Sequence, residues 1–147
     1  RLCSSAASDV YKRQAITAAM IYPDKKVISV CGDGGFMMNS QELETAVRLG
    51  VNLTVIILND KAYGMVKWKQ ENMKFSDFGL SFENPDFVKY ADAYGAKGYR
   101  IDDSKQLKNT LEKCLNTPGV HLIDCPVDYS ENDKILNKDL KRISSKL

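Results

Sequence analysis

Apolar side chains occupy successive positions at 27–31 (VISVC), the pattern of a strand buried on both faces as in a parallel sheet covered by helices. A second fully apolar strand is predicted at 53–58 (LTVIIL), a short one at 97–101 and a further apolar one at 120–127. Between them the period changes to that of helices. Residues 15–22 read as the last turns of a helix stopped by Pro23 and Asp24. Over 39–49, Leu43, Ala46, Val47 and Leu49 recur at helical spacing, with Asn39 and Glu42 as a capping box and Gly50 as the stop. Further helices are predicted at 63–70 and at 84–94, the latter opened by Asn84-Pro85 and ended by Gly95. Another runs from a cap at Asp103 or Ser104 to about residue 115, followed by a turn at 116–119. A last amphipathic helix is predicted over 133–147, with Ile135, Leu136, Leu140 and Ile143 on one face and lysines, read as a solvated face, on the other.

Strands alternating with helices in this rhythm predict an α/β fold, a doubly wound and mainly parallel sheet with helices on both faces. Such sheets bind ligands at the carboxyl ends of their strands. Both unusual polar turns, Gly32-Asp33-Gly34-Gly35 and Asn59-Asp60-Lys61-Ala62-Tyr63, stand at such ends, so they are expected to be neighbours in space. A chain of 147 residues is long enough for one domain with its own core, and its apolar runs are far shorter than a membrane span. Membrane insertion is therefore not expected.

The net charge of +2 arises in residues 1–14, where Arg1, Lys12 and Arg13 oppose Asp9, so no basic face for nucleic acid emerges. That Ser/Ala-rich stretch resembles translated cloning or sequencing adapter, is expected to be unstructured, and places the start of the 15–147 domain near Ala15. Cys3, Cys31, Cys114 and Cys125 form no CxxC pair and His121 is the one histidine, which argues against zinc and against Ser-His or Cys-His catalysis. Buried free thiols fit a reducing, cytoplasmic setting. His121, inside an apolar run, reads as structural.

A Gly-rich turn between strand and helix offers backbone N–H groups to phosphate. The dinucleotide fingerprint fits Gly32 and Gly34 but fails at Met37, and no Walker lysine follows. What sets the turn apart is the Asp33 carboxylate, which repels a phosphate unless a cation joins them. Mg²⁺ is commonly held by one or two carboxylates plus phosphate oxygens, and Asp60 can supply the second carboxylate, with a backbone carbonyl just beyond it. The competing reading has Asp33 capping a helix and Asn59-Asp60 forming an ordinary turn; geometry alone leaves both open.

Gly32-Asp33-Gly34, followed 27 positions after Asp33 by Asn59-Asp60 at the end of an apolar strand, resembles the two-part thiamine-diphosphate motif. The surrounding GDGGFMMNSQELETAVRLGVNLTVIILNDKAYGMV and the later PVDYSEND are similar to the C-terminal cofactor domain of acetolactate synthases, and the likeness covers residues 15–137. It implies Mg²⁺ ligands at the side chains of Asp33 and Asp60 and the carbonyl of Ala62. Diphosphate contacts would fall on Gly34, Gly35, Tyr63 and Gly64, with Gly32 in the same turn and Met65 and Val66 against the cofactor. Asp60 stands where the biosynthetic branch has a second Asn, a departure shared with the catabolic branch.

The implied reaction is decarboxylation of pyruvate and transfer of the two-carbon unit to a second 2-keto acid, giving acetolactate, with thiamine diphosphate and Mg²⁺ as cofactors. In that family the activating glutamate sits in a separate domain, usually of a partner subunit, so this chain holds no catalytic residue of its own. A homo-oligomer is implied for the complete protein, and the chain alone is expected to be inactive and to bind the cofactor poorly, since the Gly/Met-rich segment that precedes Ala15 in the family is replaced. FAD, where members hold it, occupies a middle domain and is left undecided. Biosynthetic members carry a tryptophan where this chain has Lys69, with Trp68 one position early, so pyruvate rather than 2-ketobutyrate is the expected acceptor. Competing readings are another thiamine-diphosphate-dependent 2-keto acid decarboxylase or oxidase, a non-catalytic α/β module and a NAD-binding domain. Asp33→Ala is expected to abolish Mg²⁺-dependent binding while leaving the fold intact, on the premise that Asp33 is a surface ligand.

Overall fold

A computed structural model describes residues 10–132, 134–135 and 140–144. Its strands are β1 (Val27–Gly32), β2 (Leu53–Asn59), β3 (Lys97–Arg100) and β4 (Val120–Pro126). Its helices are α1 (Val10–Ile21), α2 (Asp33–Met37), α3 (Glu42–Arg48), α4 (Gly64–Asn72), α5 (Phe87–Ala93), α6 (Ser104–Asn116) and α7 (Leu140–Ser144). The strands form one sheet in the order β1-β2-β4-β3, parallel throughout, so every connection is a crossover. This is the doubly wound α/β arrangement that the strand-helix rhythm predicts.

One face of the sheet carries the larger core. Ala15, Ile16 and Ala19 of α1, Leu43 and Ala46 of α3, and Phe87 and Ala91 of α5 close over Leu53, Val55, Ile57 and Leu122. Phe36 of α2 is fully buried among them, edge-on to Phe87 at 5.4 Å, and so anchors the turn that begins at Asp33. The opposite face is covered by α6, where Leu111 and Cys114 pack with Ile101, Ile123 and Cys125. His121 is buried, its Nε2 2.9 Å from the Thr117 carbonyl, and serves the packing of β4. Cys31, Cys114 and Cys125 are free and buried, and Cys3 lies outside the described residues.

Several local expectations need correction. α1 starts at Val10, so residues 10–14 are helical rather than unstructured; Lys12 is buried against Phe36 and bonds its carbonyl. β1 is buried on one face only, with Ile28 and Val30 exposed, because it is the edge strand and α6 covers the far side of the sheet. The predicted 39–49 helix begins at Glu42, after α2 has already made a turn, and its N-cap is Gln41 without a side-chain cap, so the Asn39–Glu42 box does not form. α5 is capped by Asp86, whose carboxylate accepts from the Val88 and Lys89 amides, not opened by Asn84-Pro85. Asp103 caps α6 as one of the two predicted candidates, and Gly95 takes a φ of +80° just past α5. Of the last predicted helix, residues 133, 136–139 and 145–147 lie outside the described part, and Ile135 and Ile143 are exposed.

Candidate cofactor and metal site

Parallel register pairs Gly32 with Leu58, so the turns leaving β1 and β2 emerge side by side at the carboxyl edge of the sheet. At the head of the first turn, Asp33 is 1% exposed. Its Oδ1 accepts from the Gly34 amide at 2.8 Å, and its Oδ2 from the Lys61 amide at 2.8 Å and from Asn84 Nδ2 at 2.6 Å. The helix-cap reading of Asp33 therefore fails: Gly32 is the N-cap of α2, without a side-chain bond, and the carboxylate reaches across to the second turn instead. Lys61 presents its amide by adopting a φ of 54°, a left-handed conformation that costs a non-glycine residue energy, and its ammonium pairs with Glu83 at 2.9 Å.

Asp60 follows β2 and lies next to Asp33. Burial, and then the neighbouring Asp33 carboxylate, push its pKa above the ordinary value, against the opposing hydrogen bond from the Ala62 amide. Tyr129, from the segment after β4, is shifted upward by burial and then by the same two carboxylates. The backbone is shaped for close approach: a Cβ on Gly64 would collide with the Asp60 carboxylate, and one on Gly34 would stand 2.7 Å from the Tyr63 ring. Tyr63 in turn packs on Phe82 at 5.0 Å. The bridge that holds this stretch uses the Tyr63 amide and the Lys61 carbonyl, leaving the Ala62 carbonyl outside it.

Gly32, Asp33, Gly34, Gly35, Asp60, Ala62, Tyr63, Gly64, Met65 and Val66 all line one cavity of about 390 Å³, together with Tyr11, Tyr129 and the ends of β1 and β2. The structure thus brings every sequence-nominated site residue to one place. Trp68 and Lys69 fall on α4 but do not line it. The donor set fits Mg²⁺: two adjacent carboxylates, Asp60 resisting ionisation through its burial and then through Asp33, with backbone carbonyls beside them. Among the described residues no group of three or more His, Cys, Asp and Glu side chains gathers, so the side chains offer the ion two carboxylates at most.

The sequence matches, over residues 13–125, the family described as thiamine pyrophosphate enzyme, C-terminal TPP binding domain. The chain belongs to this family. It is similar to the acetolactate synthase of Bacillus subtilis (strain 168), 41% identical over 128 residues, which are 87% of this chain and 22% of that protein. It is also similar to a catabolic acetolactate synthase of Raoultella terrigena, 39% identical over 124 residues, 84% of this chain and 22% of that protein. The chain thus spans under a quarter of the length of these curated relatives. Its fold is that of a thiamine diphosphate-dependent 4-hydroxybenzoylformate decarboxylase from Rhodococcus jostii RHA1, with a TM-score of 0.78 at 24% identity over 84% of this chain and 24% of that one.

The sequence reading includes Asn59 in the motif but not its bonds to Asp124 and Asn84, and it gives no site role to Asn84 or Tyr129. Asn84 was assigned to open α5, yet Asp86, two positions on, is the capping residue. Two capping residues so close cannot both serve one helix, and that redundancy was the available signal for another use of Asn84.

Proposed function

We propose that this chain forms the thiamine-diphosphate- and Mg²⁺-binding part of an acetolactate-synthase-like enzyme that decarboxylates pyruvate and condenses the two-carbon unit with a second 2-keto acid. The observation that carries the reading is the Asp33–Asp60 pair at the mouth of a single cavity lined by backbone-exposing glycines. The similarity to acetolactate synthases supports it for the reaction.

In this reading Asp33, Asp60 and the Ala62 carbonyl hold Mg²⁺, and the backbone at Gly34, Gly35, Tyr63 and Gly64 faces the diphosphate. Met65 and Val66, exposed at 59% and 54%, offer apolar surface to the rest of the cofactor. When bound, thiamine diphosphate supplies carbanion stabilisation, and the protein supplies position and field. The proton-moving glutamate comes from another domain, in a homo-oligomer in the cytoplasm.

The test is replacement of the corresponding 128-residue segment of the Bacillus subtilis relative by this chain. Acetolactate formed from pyruvate supports the reading; acetaldehyde or acetyl phosphate as sole product moves the chain to a decarboxylase or oxidase; a well-folded chimera without Mg²⁺-dependent cofactor binding overturns it.

A further inference from the structure

Behind the two carboxylates lies a polar chain, buried at Asn59 and Asp124, that links the site to the far edge of the sheet, where Arg100 is exposed. Arg100, at the end of β3, donates from Nη1 to Asp124 Oδ2 at 2.8 Å. Asp124, 2% exposed in β4, accepts at its Oδ1 from Asn59 Nδ2 at 2.8 Å. Asn59, the last residue of β2, presents its Oδ1 to Asn84 Nδ2 at 3.0 Å, and the same Asn84 nitrogen donates to Asp33 Oδ2 at 2.6 Å.

The order of donors and acceptors in this chain is forced. A carboxylate accepts only, so Asp124 requires the NH₂ of Asn59 to face it, which turns the Asn59 carbonyl toward Asn84. Asp33 at the other end likewise requires the NH₂ of Asn84. One amide nitrogen with two hydrogens then serves both the Asn59 carbonyl and the Asp33 carboxylate. Turning either amide over would set oxygen against oxygen. Asn84 holds this pose although its own Oδ1 is buried with no hydrogen-bond partner, a cost that marks the side chain as placed for its donor.

We propose that Asn84 is a positioning residue that fixes the Asp33 carboxylate in the orientation in which it receives a divalent cation, and that Asn59, Asp124 and Arg100 in turn fix Asn84. The proposal rests on the reading of Asp33 and Asp60 as the Mg²⁺ pair. Three donors hold the Asp33 carboxylate in one orientation, Lys61 and Asn84 on Oδ2 and the Gly34 amide on Oδ1, which leaves Oδ1 with the freer lone pair. Outer-sphere partners of this kind typically set metal affinity by about 10–100-fold. Because Asn84 comes from a loop 51 positions beyond Asp33, the site is completed only when the segment between α4 and α5 is in place.

The test is a Mg²⁺ titration by calorimetry, with thiamine diphosphate in excess, of the chimera in which this chain replaces the matching segment of the Bacillus subtilis relative, for the unaltered chimera and for Asn84→Ala. The expected result is a midpoint raised by about tenfold or more in the variant, with thiamine diphosphate affinity restored once Mg²⁺ saturates. A packing role alone would weaken both together and would not be rescued by metal. Asp124→Asn, which lets Asn59 turn over while keeping volume, is expected to raise the midpoint about threefold, less than Asn84→Ala because it acts through two further bonds. Equal midpoints in all three proteins overturn the relay alone; no saturable Mg²⁺ response in the unaltered chimera overturns the metal site and the relay with it.

Discussion

The two ends of the sheet carry the same kinds of residue and use them in opposite ways. At the amino end, Asn52 accepts from the Gly119 amide at 2.8 Å, Lys26 reaches Asn116 Oδ1 at 2.7 Å, and Thr117 meets His121. A cavity of about 200 Å³ remains there, with Asn52, Asn116 and Lys26 on its lining and already bonded within the protein. At the carboxyl end, Asp33 and Asp60 stand together, Asp60 ionises reluctantly because of its burial and its neighbour, and Lys61 takes a left-handed φ to feed Asp33. Polar turns alone therefore do not make a site. What distinguishes the carboxyl end is a pair of adjacent carboxylates, Asp33 and Asp60, of which Asp33 is held by amide donors, while the Lys61 ammonium turns away to Glu83.

The largest break in this contrast is expected from Asp33→Ala, with loss of Mg²⁺-dependent cofactor binding on the order of 100-fold, measured by titration calorimetry. The premise that such a change spares the fold needs revision, because Asp33 is 1% exposed and serves three donors. Leaving the Lys61 amide and Asn84 unpaired is expected to cost about 1–3 kcal/mol in urea denaturation, offset in part by relief of Asp60. Gly64→Ala comes next: its Cβ meets the Asp60 carboxylate, and a Mg²⁺ midpoint raised about tenfold is expected with little change in the melting temperature.

A smaller effect is expected with pH. Asp60 has a folded pKa above its ordinary value of 3.8, so its stabilising contribution is complete below that value and is lost as pH rises through the raised one. Thermal melts without metal should show this fall, and it should vanish with saturating Mg²⁺ or in Asp60→Asn. A fall that persists in Asp60→Asn assigns it to another group. The smallest effect on the site is expected from Asn52→Ala at the amino end: about 1 kcal/mol of stability from the lost Gly119 bond, and an unaltered Mg²⁺ midpoint.

Much of this contrast was legible in the sequence. The apolar runs place β1, β2 and β4, and the positions of GDG and Asn59-Asp60 at strand ends bring the site residues together, because parallel strands place their carboxyl ends on one side. Long-range pairing was not legible. Whether 27–31 is covered on both faces depends on its place at the sheet edge, which local pattern does not encode, and Ile28 and Val30 proved exposed. The start of α1 at Val10 was hidden by a composition that reads as leader, though Lys12 packs on Phe36. The partner of Asp33 was hidden for the same reason: Asn84 beside Pro85 follows a local rule for helix starts, while the bond it makes spans 51 positions.

The measurement that bears most directly on the central claim is paramagnetic broadening of the amide spectrum of the 147-residue chain by Mn²⁺ in the presence of thiamine diphosphate. Both ends of the sheet report in one experiment, and weak binding is sufficient. The account predicts broadening centred on Asp33, Gly34 and residues 60–64, with the amino-end turns at 24–26, 52 and 116–119 spared. Broadening centred at the amino end, or spread over exposed carboxylates without preference for Asp33 and Asp60, would contradict it.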